Sequence, residues 1–113
     1  MTSKPARYQV LLTEDAQRDL EELYNYIAEH DAPAKADHVL AALEKLLATL
    51  SALPERGAIN KELLAIGIRD YRETYFKPYR VIYRVVNQNV YVYLIVDGRR
   101  DMQALLTRRL LRS

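Results

Sequence analysis

Residues 79–96 read YRVIYRVVNQNVYVYLIV, and the fold follows from how this stretch is parsed. Residues 79–86 alternate: Val81, Tyr83 and Val85 share one face of an extended chain, while Arg80, Ile82 and Arg84 share the other. Asn87-Gln88-Asn89 is turn-like, and residues 90–96 are a β-branched and aromatic run that makes a second strand. Two such runs joined by three polar residues predict a β-hairpin. Just upstream, residues 69–76 predict a third strand, stopped by Lys77-Pro78. The C-terminal half is therefore a three-strand meander. Asp97-Gly98 ends it, and Asp101 is placed to cap a short helix through Met102, Leu105, Leu106 and Leu110.

Towards the N-terminus the period changes. Residues 7–12 predict a short strand, and Thr13 is an N-cap, with Glu14 and Asp15 at the positive end of the helix that follows. Ala16, Leu20, Leu23 and Ile27 recur at helical spacing and line one face. That helix ends near His30-Asp31, and Pro33 suits the first turn of a second helix. Val39, Leu40, Leu43, Leu46, Leu47 and Leu50 form its apolar stripe, and Pro54 and Gly57 stop it. Within residues 53–68, the run 63–68 (LLAIGI) fits a helical turn or part of a strand, and the stretch as a whole reads as a loop. The expectation is a single α+β domain over residues 1–113. In it, an N-terminal strand and an α-helical hairpin pack on a small, mostly antiparallel sheet, and a short C-terminal helix closes the chain. The hairpin covers one sheet face, leaving Arg80 and Arg84 to point outward on the other.

Composition narrows the chemistry. The 113 residues contain no cysteine, which excludes disulfides, thiolate zinc sites and a cysteine nucleophile, and suits a reducing, cytoplasmic setting. No apolar stretch follows the first residues, so no signal peptide is expected, and the seven-residue apolar run 90–96 is too short to span a bilayer. No Gly-rich phosphate loop, metal-spaced His or Asp cluster, or nucleophile elbow is present, so neither metal nor cofactor is expected. His30, His38 and the Glu21-Glu22 pair read as surface groups.

The net charge of +2 conceals an asymmetry. Residues 1–68 carry seven Lys/Arg against eleven Asp/Glu, a balance of −4; residues 69–113 carry ten against four, a balance of +6. Nine of those ten cations are arginine, suited to phosphate and carboxylate recognition. One reading is that acidic helices complement a basic sheet within the fold. The other is that Arg80, Arg84, Arg99 and Arg100 converge to bind an anionic partner. Six of the nine tyrosines (Tyr71, Tyr75, Tyr79, Tyr83, Tyr91 and Tyr93) fall in the same half, where they serve as strand-filling residues or as stacking surfaces for bases.

Pro78-Tyr79-Arg80-Val81-Ile82-Tyr83-Arg84-Val85, the run 90–95 and Gly98-Arg99-Arg100-Asp101 together resemble the RelE/ParE superfamily of toxins from type II toxin–antitoxin systems. Leu53-Pro54…Gly57 and residues 68–73 fit the same pattern. The resemblance implies a growth-arresting protein neutralised by a cognate antitoxin, with which it forms a hetero-oligomer. It also implies one of two activities. RelE-like members cleave mRNA on the ribosome without a metal; ParE-like members inhibit DNA gyrase. Arg80 and Arg100 match the two arginines of the nucleases. Their lysine pair is replaced by residues 70–73, DYRE, their C-terminal tyrosine falls near Leu106, and no histidine lies in the last 75 residues. Arginine stays protonated and supplies charge stabilisation but neither general acid nor base. The resemblance therefore implies a gyrase-directed toxin with Arg80, Arg84, Arg99 and Arg100 as its target-binding surface. The alternatives are an mRNA endonuclease using Arg80 and Arg100, and an inactive relative acting as a binding module.

Overall fold

The computed structural model describes residues 7–111. The elements run β1 (Gln9–Leu12), α1 (Glu14–His30), α2 (Pro33–Ala52), β2 (Ala58–Ile59), α3 (Lys61–Leu64), β3 (Tyr71–Phe76), β4 (Tyr79–Val86), β5 (Asn89–Asp97) and α4 (Met102–Leu110). The five strands form one sheet in the order β1-β5-β4-β3-β2, in which β1 runs parallel to β5 and every other pair is antiparallel. The α+β architecture is as expected. Among the described residues no helix is long and apolar enough to cross a membrane.

The helix starts follow the capping chemistry. Thr13 accepts a hydrogen bond from Ala16 N, and Asp101 accepts one from Ala104 N. Pro33 occupies the start of α2. The α1–α2 hairpin buries Ala16, Ile27, Ala36, Val39, Leu43, Leu47 and Leu50 against Val81, Tyr83, Val90, Val92 and Ile95, giving the main core.

Three features depart from the expectation. The β4–β5 turn uses only Asn87 and Gln88; Asn87 takes a positive φ of 55°, and Asn89 joins the ladder opposite Val86. Residues 53–68 are not wholly loop, since β2 and α3 lie within them. The second sheet face is not left open. Ile82, Leu94 and Val96 on that face are buried with Leu63 of α3 and with Met102, Leu105 and Leu106 of α4, forming a second core. This explains why residues 94–96 are apolar without alternation. There the strand is covered on both sides, and a bulge places Tyr93 between the pairs Tyr83–Val92 and Ile82–Leu94.

Candidate functional site

The register arranges the second face in three rows, because residues directly opposite in a ladder share a face. One row is Tyr71–Arg84–Tyr91, the next Glu73–Ile82–Leu94, and the third Tyr75–Arg80–Val96. The helices α3 and α4 cover the middle row and leave an arginine at each end, in different surroundings.

Arg80 sits in a carboxylate clamp. Its Nη1 and Nη2 donate to the two carboxylate oxygens of Glu62 at 3.0 and 2.7 Å, and its Nε and Nη2 donate to those of Glu73 at 3.0 and 2.5 Å. All three side chains are about 15% exposed: Arg80 14%, Glu62 14% and Glu73 15%. The buried Asn60 caps α3 by accepting from Leu63 N at 2.8 Å, and its Nδ2 donates to Glu73 Oε1 at 2.8 Å. Hydrogen bonds from Arg80 hold the Glu62 carboxyl below its ordinary range, and the two acids raise Arg80 above its own. Gly98 packs on the Arg80 stem, so closely that a Cβ there would strike it.

Arg84, in the opposite row, lies with its guanidinium carbon 5.9 Å from the Tyr71 ring centre, within cation–π reach. Tyr93 meets Tyr71 edge-on, 5.4 Å between centres and 71° between planes, and its hydroxyl is held neutral to higher pH by burial.

Arg99 and Arg100 follow β5 and face the helical side, at the rim of an open groove of about 740 Å³ that α1 contributes to with Tyr26 and His30 and β4 with Tyr79. Arg99 turns back on Asp97, with Nη2 2.5 Å from Oδ2, and this pairing keeps the Asp97 carboxyl ionised to lower pH. Arg100 is exposed and, among the described residues, has no acidic partner within ion-pair distance. His30 stacks on Tyr26, with ring centres 4.2 Å apart, and His38 meets Phe76 edge-on. Among the described residues no three His, Asp or Glu are grouped to hold a metal.

The four arginines thus occupy three places: Arg80 in the clamp, Arg84 on the tyrosine row, Arg99 and Arg100 at the groove. The charge asymmetry of the sequence is likewise reduced in space. Glu62 and Asp19, both from the acidic half, pair with Arg80 and with Arg109. No sequence signal pointed to Glu62, which lies in the stretch read as a loop, 18 residues from its partner. Leu105 and Leu106 are buried in the second core. Arg112 lies outside the described residues.

A family model described as the ParE toxin of the type II toxin–antitoxin system parDE matches residues 10–102. Toxin ParE3 of Caulobacter vibrioides is 28% identical over 100 residues, spanning 88% of this chain and 96% of that toxin. The fold is shared with a chain of the chromosomal ParDE toxin–antitoxin system from P. aeruginosa. That match has a TM-score of 0.68 and 16% identity, over 82% of this chain and 98% of the other. A chain of the toxin–antitoxin complex RelBE2 from Mycobacterium tuberculosis matches with a TM-score of 0.57 and 24% identity, over 80% and 98%.

Proposed function

The chain belongs to the ParE toxin family of type II toxin–antitoxin systems, and from that premise we propose that it arrests growth by binding DNA gyrase and is silenced by a cognate antitoxin. The observation that carries the choice is the Arg80 clamp. Cleavage of mRNA along the lines of the RelE-like resemblance requires Arg80 to meet a phosphate, yet its guanidinium is spent on Glu62 and Glu73. A substrate would have to displace both carboxylates from a site where they are mostly buried. The nuclease's tyrosine position falls near Leu106, which is fully buried and has no proton to transfer. Charge stabilisation, acid and base are all weakened together, which favours a toxin that binds over one that cuts.

In this reading Arg80 is a positioning residue that fixes α3 and the Gly98 turn. Arg99 and Arg100 at the groove rim, with Arg84 on the sheet, contact the target. The antitoxin supplies carboxylates to the exposed Arg99 and Arg100 guanidiniums in a segment that orders on binding. The discriminating experiment adds purified toxin to a gyrase supercoiling reaction and, separately, to ribosomes translating a defined mRNA. Inhibited supercoiling with intact mRNA is expected, and antitoxin should restore gyrase. Ribosome-dependent cuts in the mRNA, lost in Arg100→Ala, would overturn the proposal.

A further inference from the structure

We infer that the row Tyr71–Arg84–Tyr91, with Tyr93 beside it, is a stacking surface for single-stranded nucleic acid. The three residues are successive partners across β3, β4 and β5, so they share one face and alternate aromatic, cation, aromatic. Strand spacing of about 4.8 Å sets Tyr71 and Tyr91 on the order of 10 Å apart, with Arg84 between them. Leu11 of β1 pairs with Tyr91 and extends the row with an apolar residue. All four are partly accessible, unlike the middle row, in which Ile82 and Leu94 are fully buried.

The charge on this surface suits a polyanion. Arg84 already contacts one aromatic ring and, among the described residues, has no carboxylate partner. Two further arginines, Arg69 and Arg108, are exposed. Arg69 stands two residues before Tyr71, and Arg108 precedes Arg109, which donates to the Tyr93 carbonyl at 3.1 Å. Neither has an acidic partner among the described residues. Aromatic rings interleaved with arginine hold unpaired bases by stacking while the guanidiniums neutralise phosphates, with little dependence on base identity. A duplex offers phosphates but keeps its base faces covered, so the surface selects single strands. This inference does not rest on the gyrase reading, because bare nucleic acid is the ligand.

The test is fluorescence anisotropy of the purified full chain with a labelled ten-nucleotide oligothymidine and with a duplex of the same length. Single strands are expected to bind more tightly than the duplex, and to quench tyrosine emission, which no tryptophan obscures. Tyr91→Thr should weaken binding by about 5- to 150-fold, the loss of one stacked base. Arg84→Gln should weaken it and lower the salt slope by about 0.7, the loss of one phosphate contact. Lys45→Gln, an equal charge change on α2, should leave binding unaltered. The inference is overturned by equal affinity for duplex and single strand, or by a Lys45→Gln loss matching that of Arg84→Gln. Preferential binding of a poly-glutamate peptide would also overturn it and assign the surface to an acidic protein segment instead. Melting curves of each variant establish that the fold is intact, and if Tyr91→Thr does not fold, Arg84→Gln alone decides.

Discussion

Arg109 Nη2 lies 2.8 Å from Asp19 Oδ1, joining residues ninety positions apart across the outer edge of β5. The strand β1 pairs with β5 only as far as Val92, which leaves the edge beyond it without a neighbour. Asp19 also accepts from Ile95 N at 3.1 Å, and Arg109 donates to the Tyr93 carbonyl. The ion pair therefore satisfies backbone groups that a longer β1 would have paired, and it ties α4 to α1. An open sheet edge invites unwanted pairing, and charged side chains laid against it are a known remedy. Arg109→Ala should lower stability by roughly 1.5–3 kcal/mol, the range for hydrogen bonds to charged groups. Chemical denaturation of Arg109→Ala, Asp19→Asn and the double variant checks this. Additive losses in the cycle would mean that the pair is not coupled.

Arg80 and Arg100 should separate when mutated. Arg80→Ala leaves Glu62 and Glu73 facing each other without their cation, and removing one partner of a largely buried pair costs about 3–5 kcal/mol. Its toxicity should fall together with its melting temperature. Arg100→Ala should lose toxicity while its melting temperature stays at the wild-type value, because Arg100 is exposed and pairs with no described acid. Growth assays alongside thermal melts check both. An Arg80→Ala protein of native stability would contradict the clamp as a structural element.

Much of the fold is legible in the sequence, and the reason is length. The helices α1 and α2 run for 17 and 20 residues, long enough for the 3.6-residue period to repeat, and β4 and β5 run for 8 and 9. The strand β2 has two residues and α3 has four, too few for any period to declare itself. The site suffered from the same gap. With α3 unseen, nothing placed Glu62 over Arg80, and alternation in β4 alone made Arg80 look outward-facing. Alternation separates the two faces of a strand but does not say which face is covered. The unbroken apolar run 94–96 of β5 was the available sign that both were.

Acid should loosen α3 first. The Glu62 carboxyl is held below its ordinary value of 4.5 by hydrogen bonds from Arg80, so it favours the folded state wherever it is ionised there. The sign is that of a depressed carboxylate: its stabilisation is complete above pH 4.5 and is lost as pH falls through the lower folded value. Stability measured by denaturant between pH 7 and pH 3 should decline on the acid side. In Glu62→Gln that limb should be shallower, with lower stability at neutral pH. Parallel curves for the two proteins would show that Glu62 does not contribute to the acid response.

The close approach of Gly57 to Tyr83 yields a prediction with a built-in comparison. Gly57 N donates to the Tyr83 hydroxyl at 3.0 Å, and Tyr83 is fully buried beneath it. A Cβ at residue 57 would overlap both the Glu73 carbonyl and that hydroxyl. Backbone cannot yield as a flexible side-chain tip can, so Gly57→Ala must shift β2 away from β3. Glu73 is also one arm of the Arg80 clamp, so the displacement reaches that site. Tyr83→Phe removes the hydroxyl without adding bulk and should cost about 1 kcal/mol, the worth of one hydrogen bond. Gly57→Ala should cost more, on the order of the 1–3 kcal/mol typical of overpacking. If the contact between ring oxygen and residue 57 dominates the strain, adding Tyr83→Phe to Gly57→Ala will recover stability. If the Glu73 carbonyl dominates, it will not. Denaturation midpoints for the two single variants and the double variant decide between them, and a Gly57→Ala protein as stable as wild type would refute the packing constraint altogether.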